Sequence, residues 1–473
     1  RRLRPGRRGR GRIAGQRLMQ PGSETTQPQQ TLRLREAVAI IVGIVIGAGI
    51  FKAPSLVAQF TGSIGWMLAA WVAGGVISLI GALCYAELAA AWPHAGGDYH
   101  FLQRAYGRRV AFLFAWARFS VITTGSIALL AFVFGDYMSA VLPLGTYSAA
   151  LWGALAVVVL TWLNARGIHA SASAQSWLTL AEVLGLVLVI AAGLWMWSSS
   201  VHRMPMPDGA VVAGAVSAMP GLGMLGLAMV FVLLTYGGWN EAAYLSAELR
   251  GSRRGILHAL VISLTLITVL YLLVNGAYVY GLGIQGMAKS EAVAADLLRV
   301  AFGRTGETLI AIMVAVAALT SINATMIVGA RTNFAVGRDW PQLHWLGRWE
   351  GARGVPAVAL YAQSALALAL VVLGGSLRSG FQTMVDYTAP VFWNFFLLCT
   401  LALIVLRRKE PAAERPFKVP LYPLLPLLFA AVCAYMLWSS LVYVKAGALV
   451  GVGVLAVGGL LLAWLELTRP RGR

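Results

Sequence analysis

Along the chain, apolar runs of membrane-spanning length alternate with short polar breaks. They lie near 37–60, 64–91, 109–141, 149–164, 175–197 and 219–247, then 256–281, 305–331, 355–374, 382–406, 420–442 and 446–466. Each can cross about 30 Å of hydrocarbon as a helix. The ten-residue alternation of a transmembrane barrel is absent, so the pattern predicts an all-α membrane protein of twelve spans. Two runs carry helix breakers at mid-depth. "IGAGIFKAPS" places Gly47, Gly49, Lys52 and Pro54 in the first, and "TYGGWN" places Gly237 and Gly238 in the sixth. Gly and Pro are the poorest helix formers, and both runs are predicted to unwind there.

Runs 1 and 6 each head a block of five. Because five is odd, the second block enters the membrane from the opposite side and forms an inverted repeat. Paired Gly-interrupted spans at corresponding positions point to a secondary-transporter binding site. Unwound backbone at membrane depth must be satisfied by protein, water or ligand. Free N–H groups and a half-helix N-terminus in run 1 suit a carboxylate. Carbonyls released in run 6, and just before the first break, suit an ammonium group. A site with both ends suits a zwitterion, hence an α-amino acid, with the glycines permitting close approach. The competing explanation is close helix packing through small residues, for which Gly43 and Gly47 have the spacing.

Composition narrows the class. Apolar residues make up 59% and charged residues 12%, with a mean hydropathy of +0.75, which excludes a soluble domain. The net charge of +19 does not imply nucleic acid. Ten arginines fall in the first 35 residues, and most of the others cluster in alternate loops, at 104–109, 250–254, 331–353 and 407–418. That is the distribution expected of cytoplasmic loops in a cell-membrane protein with both termini inside, and an odd number of spans would break it. The chain divides into a basic cytoplasmic tail (1–32) able to touch anionic lipid, spans 1–5 (33–197), spans 6–10 (198–410), and spans 11–12 with a second cytoplasmic tail (411–473). Segments 92–108 and 282–304 read as short helices outside the spans.

Cys84, Cys399 and Cys433 have neither metal spacing nor a disulfide framework. No histidine pairing suggests zinc, and no nucleophile–base constellation suggests an enzyme. A channel is disfavoured by the lack of a filter-like loop. No cofactor, nucleic-acid partner or obligate protein partner is expected.

"IVGIVIGAGIFKAPS", "YGGWNEAAYLSAEL" and "RPFKVPLYPLLPLLF" resemble the amino acid–polyamine–organocation (APC) superfamily, particularly prokaryotic relatives of the L-type amino acid transporters, from about residue 33 to 466. The resemblance implies the LeuT-type 5+5 inverted-repeat fold with broken helices 1 and 6, two extra C-terminal helices, and alternating access for amino-acid uptake or exchange. Carried over by motif, the carboxylate site falls on the backbone of Ala48, Gly49 and Ile50. The amine site falls on carbonyls of Ile46, Leu234, Thr235 and Gly237, and Asn240 lines the side-chain pocket or holds the break in shape. Leu234 replaces the usual aromatic lid, so the outer gate is looser here or another aromatic serves. Glu182 stands where many relatives carry a lysine that contacts the unwound part of span 1.

An ionised, unpaired glutamate at that depth is costly, making Glu182 a candidate for proton coupling; a neutral packing role is the alternative. Lys52 is expected to reach water in an outer vestibule along its apolar stem, or else to attract anionic groups or form a salt bridge there. Glu241 and Glu248 share one face of span 6, Glu241 either lining the pathway or pairing with Arg118. Asp136 and Asp386 are expected to be solvated or capping. Thr320, Ser321, Asn323 and Thr325 stand where a LeuT-type protein would hold sodium, but no carboxylate accompanies them and such hydroxyls often bond their own helix. Sodium is therefore not expected. Tyr236, Trp239 and Ser321 complete the candidate pathway, Trp239 either touching substrate or bracing the break. Trp66, Trp92, Trp195 and Trp197 suit an interfacial belt. The functions weighed are a secondary transporter of neutral amino acids (exchanger or proton symporter), a cationic amino acid or polyamine antiporter, and a transporter-like nutrient sensor.

Overall fold

The computed structural model describes residues 34–94, 97–166, 172–199, 220–241, 255–348, 356–376, 380–444 and 446–468. Among these, all regular structure is helical. The first run is two helices. α1 (Leu34–Val45) stops before the glycines, a 3-10 turn occupies Ala48–Phe51, and α2 (Ala53–Thr61) resumes with Pro54 in its first turn. There proline's fixed φ and missing N–H do no harm.

α3 (Ile64–Ala91) coincides with the second run, and α4 (Gly97–Tyr106) is the short helix expected in 92–108. α5 (Arg108–Val141) contains a π-helical turn at Arg118–Thr123. α6 (Ser148–Ala165) and α7 (Ala172–Ser199) follow. The sixth run begins as α8 (Leu222–Thr235), stops at Tyr236–Gly238, and makes one 3-10 turn at Trp239–Glu241. Its continuation, with Glu248 and the 250–254 arginines, lies outside the described residues, as do the basic tail and the last five residues.

α9 (Gly255–Lys289) turns at Gly283 (φ 64°) and α10 (Val293–Asp339) at Gly303 (φ 65°). The part of α10 before Gly303 is the short helix expected in 282–304. α11 (Ala357–Gly375), α12 (Gly380–Lys409), α13 (Leu424–Val444) and α14 (Ala446–Leu467) complete the chain. α9 and α10 outrun their apolar runs chiefly because each joins a second, shorter helical segment across the glycine at which it turns.

Ten helices among the described residues are long and apolar enough to cross a membrane, so this is a multi-pass membrane protein. α5 forms the centre, packed against α6, α10 and α12, while α9 carries α1, α2 and α3 on its other contacts.

Charges gather at the two ends of α5. At its N-terminal end, Arg104 Nε donates to Glu410 Oε1 at 2.7 Å and Arg109 Nε to Glu466 Oε1 at 2.8 Å. The Arg104 hydrogen bond holds the Glu410 carboxyl below the usual range. Beside them Glu87, fully buried, accepts from Arg407 Nε at 2.7 Å and from the Val419 N–H at 2.6 Å. Trp92, expected in the interfacial belt, is instead buried, because its indole N–H reaches Glu410 at 3.3 Å. Trp195 and Trp197 are exposed on α7, as a lipid-facing belt requires.

Candidate functional site

The two helix interruptions meet at one cavity of 430 Å³. The first break contributes Gly47, Ala48 and Gly49 to its wall; the second contributes Leu234, Thr235, Gly237, Gly238 and Asn240. Ala48 and Gly49 open the 3-10 turn, where N–H groups have no preceding helical carbonyl to bond.

The glycines play different parts. Gly47 has extended backbone (φ −111°, ψ −177°), which any residue adopts, and a Cβ there would meet nothing within 4 Å. At Gly49 a Cβ would come no nearer than 3.6 Å to Thr235 Oγ1. Neither needs to be glycine for packing, which removes the close-packing explanation at this break. Gly135 shows the contrast, since a Cβ there would run into the Ala149 carbonyl. At the second break the backbone itself requires glycine. Gly238 has φ 101°, in the left-handed region that disfavours a side chain.

A residue that the pattern did not single out joins the two breaks. Tyr271, buried on α9, places its hydroxyl 3.0 Å from the Val45 carbonyl and 3.1 Å from the Thr235 carbonyl. One proton is thus shared between an acceptor on each interrupted helix. A tyrosine within the apolar run "VLYLLVNG" carries no spacing signal that would reveal this.

The remaining candidates sort by position. Asn240 and Ser321 line the cavity. Ile46 and Ile50 are buried side chains away from its wall, leaving only their backbone available to it. Glu182 is also buried and behind the wall, reached through Ser321, whose Oγ donates to Glu182 Oε1 at 3.4 Å. Glu241's side chain lies outside the described residues, and with it the pairing expected with Arg118.

Some expectations are corrected, and others are decided between their stated alternatives. Tyr236 does not line the cavity: its hydroxyl donates to the Trp71 carbonyl at 3.0 Å, and its ring packs on Trp71 and Tyr271. Trp239 braces the break rather than facing the cavity, edge-on to Tyr85 and Phe396. Lys52 does not reach water; its side chain is 3% exposed and forms ion pairs with Asp136 at 2.8 Å and Glu291 at 2.7 Å. The salt-bridge alternative is therefore the one realised. Asp136 is accordingly neither solvated nor a cap, and Asp386 lies inside α12 rather than at its cap. Thr320 and Thr325 turn back on their own helix, to the carbonyls of Val316 at 2.9 Å and Ser321 at 2.7 Å. Asn323 instead accepts from Asn164 Nδ2 at 2.7 Å.

The cavity also holds side chains not anticipated as lining it. Asp98 of α4 and Arg118 of the π turn reach it, and Phe381, Phe392, Phe395 and Phe396 of α12 form an apolar wall. Tertiary packing brings these segments together, and no local pattern marks them.

Comparison with known proteins identifies the family. The family model described as amino acid permease matches residues 32–458. The mouse (Mus musculus) b(0,+)-type amino acid transporter 1 is 29% identical over 428 residues, covering 89% of this chain and 84% of the relative. The human (Homo sapiens) large neutral amino acids transporter small subunit 2 is 30% identical over 425 residues, 87% of this chain and 76% of the relative. The mouse Asc-type amino acid transporter 1 is 28% identical over 440 residues, 92% and 80% respectively. With the family's pattern matched from before the first break to the last helix, the chain belongs to the amino acid permease family of the APC superfamily, membrane transporters rather than enzymes.

Proposed function

We propose that this protein moves amino acids across the cell membrane by alternating access, as an exchanger or a proton-coupled symporter. The observation that carries the reading is the meeting of two interrupted helices at one cavity, where Gly47 opens onto free space that no packing demand explains. The α-carboxylate binds the N–H groups of Ala48, Gly49 and Ile50, at the positive end of the resumed helix. The ammonium group binds carbonyls of Ile46, Leu234, Thr235 and Gly237. The side chain extends toward Asn240 and the phenylalanine wall, which favours neutral L-amino acids. Asp98 at the cavity wall favours, as a second reading, a cationic amino acid or polyamine.

Twelve spans with both termini in the cytoplasm fit the arginine distribution. A 5+5 inverted repeat is supported by the way contacts recur after a shift of five spans. α7–α10 is mirrored by α12–α5, and α1–α9 by α8–α3. Glu182, with one long hydroxyl contact and no cation beside it among the described residues, is the proposed proton carrier, communicating with the first break through Ser321.

Counterflow of radiolabelled amino acids in proteoliposomes tests the reading, with a competitor panel, two pH values, and sodium present or absent. Trans-stimulation supports exchange, and acceleration by a proton gradient supports symport. Saturable binding without flux would overturn transport in favour of a nutrient sensor.

A further inference from the structure

We propose that Lys52, Asp136 and Glu291 form a latch that holds the pathway closed on the face where Glu291 lies. Lys52 directly follows the 3-10 turn whose first residues line the cavity. Its ammonium group donates to Asp136 Oδ2 at 2.8 Å, Glu291 Oε2 at 2.7 Å and the Glu291 carbonyl at 2.7 Å. That uses all three N–H donors of a lysine.

A second connection runs beside it through neighbouring residues. Tyr137 donates to the Phe51 carbonyl at 2.6 Å and accepts from the Ala294 N–H at 3.3 Å. The broken helix, the C-terminal end of α5 and the start of α10 are thus tied together twice. The members differ in exposure: the side chains of Lys52 and Asp136 are 3% and 16% exposed, that of Glu291 79%. Separating the buried pair would leave a charge in low dielectric, whereas water can replace the lysine at Glu291. Lys52–Asp136 is therefore the fixed half and Glu291 the releasable half. Release frees α10's first segment from the break, so that movement of Ala48 and Gly49 around a ligand reaches the closed face.

The inference rests on the transport reading, and its test does not need transport. A single cysteine at Ser126, on the cavity wall, is introduced after Cys84, Cys399 and Cys433 are replaced by alanine. The protein is reconstituted in proteoliposomes and labelled with a membrane-impermeant methanethiosulfonate from one side at a time, without substrate. Glu291→Gln, and separately Lys52→Gln with Asp136→Asn, is expected to raise labelling from the Glu291 side about fivefold or more by population shift, without a matching rise from the other side. Glu291→Gln alters a water-exposed group, leaves the bond to the Glu291 carbonyl in place, and reads the carboxylate's share of the latch even where the buried double change impairs folding. Labelling at the unmodified rate from the Glu291 side overturns the latch, as does an equal rise from both sides, which marks general loosening. Absence of amino-acid counterflow in the parent protein overturns the transport reading and leaves the labelling result standing.

Discussion

At Gly47 the usual reasons for a glycine are missing: the backbone is extended and the space for a Cβ is empty. The remaining reason is what occupies that space in use. Gly47→Ala is therefore expected to leave thermal stability within about 0.5 kcal/mol. It should weaken amino-acid binding about tenfold or more, which is about 1.4 kcal/mol. Calorimetric titration beside a melting curve separates the two; equal loss of stability and binding would return Gly47 to a structural role. Glu182 is legible as a buried acid in an apolar run, but its partner is not, because Ser321 lies 139 residues away. Glu182→Gln is expected to transport with a flat pH profile between mildly acidic and mildly alkaline pH. Uptake that keeps the parent profile would exclude proton coupling through this residue.

The interrupted helices were readable as elements because breakers inside a spanning run conflict with helix formation. What joins them was not. Tyr271 supplies a hydroxyl to carbonyls of both breaks, and its removal leaves two buried acceptors short of a donor. Tyr271→Phe is expected to cost about 1 kcal/mol of stability and to slow exchange more than it weakens binding, since the two breaks then move independently. Counterflow rate against substrate dissociation constant measures that split. Ring packing on α8 is a second case. Leu234 carries no ring, but Phe231, one turn earlier, stacks on Phe60 at 5.7 Å and on Phe381 at 6.2 Å. These contacts tie α8 to α2 and α12 through aromatic rings that no local pattern pairs.

Across the whole molecule, the arginine bias and the carboxylate clusters act together. Glu87 is fully buried yet bonded to Arg407 and the Val419 N–H, with Arg415 Nε 3.7 Å away. It ties α3 to α12 and to the segment leading into α13. Glu87→Gln leaves the arginines inadequately paired and is expected to destabilise the protein by about 3 kcal/mol, seen as a lowered melting temperature in detergent. For orientation, tags at the two termini are expected to be accessible from the same side of the membrane, the arginine-rich one. Opposite accessibility would overturn an even span count.

By itself the sequence determined the class, the places of the long apolar helices and the two places where the helical pattern breaks. These follow from local properties: apolar length against bilayer thickness, and the cost of Gly and Pro within a helix. The tertiary structure alone decided which breaks share a cavity, which glycines face open space, and which side chains reach the wall. It also turned Lys52 from an expected vestibule residue into a buried ion-pair partner of Asp136 and Glu291. Residues 84 and 239 apart in the chain meet there, and a charge buried in apolar surroundings is stable only where distant segments supply its partners.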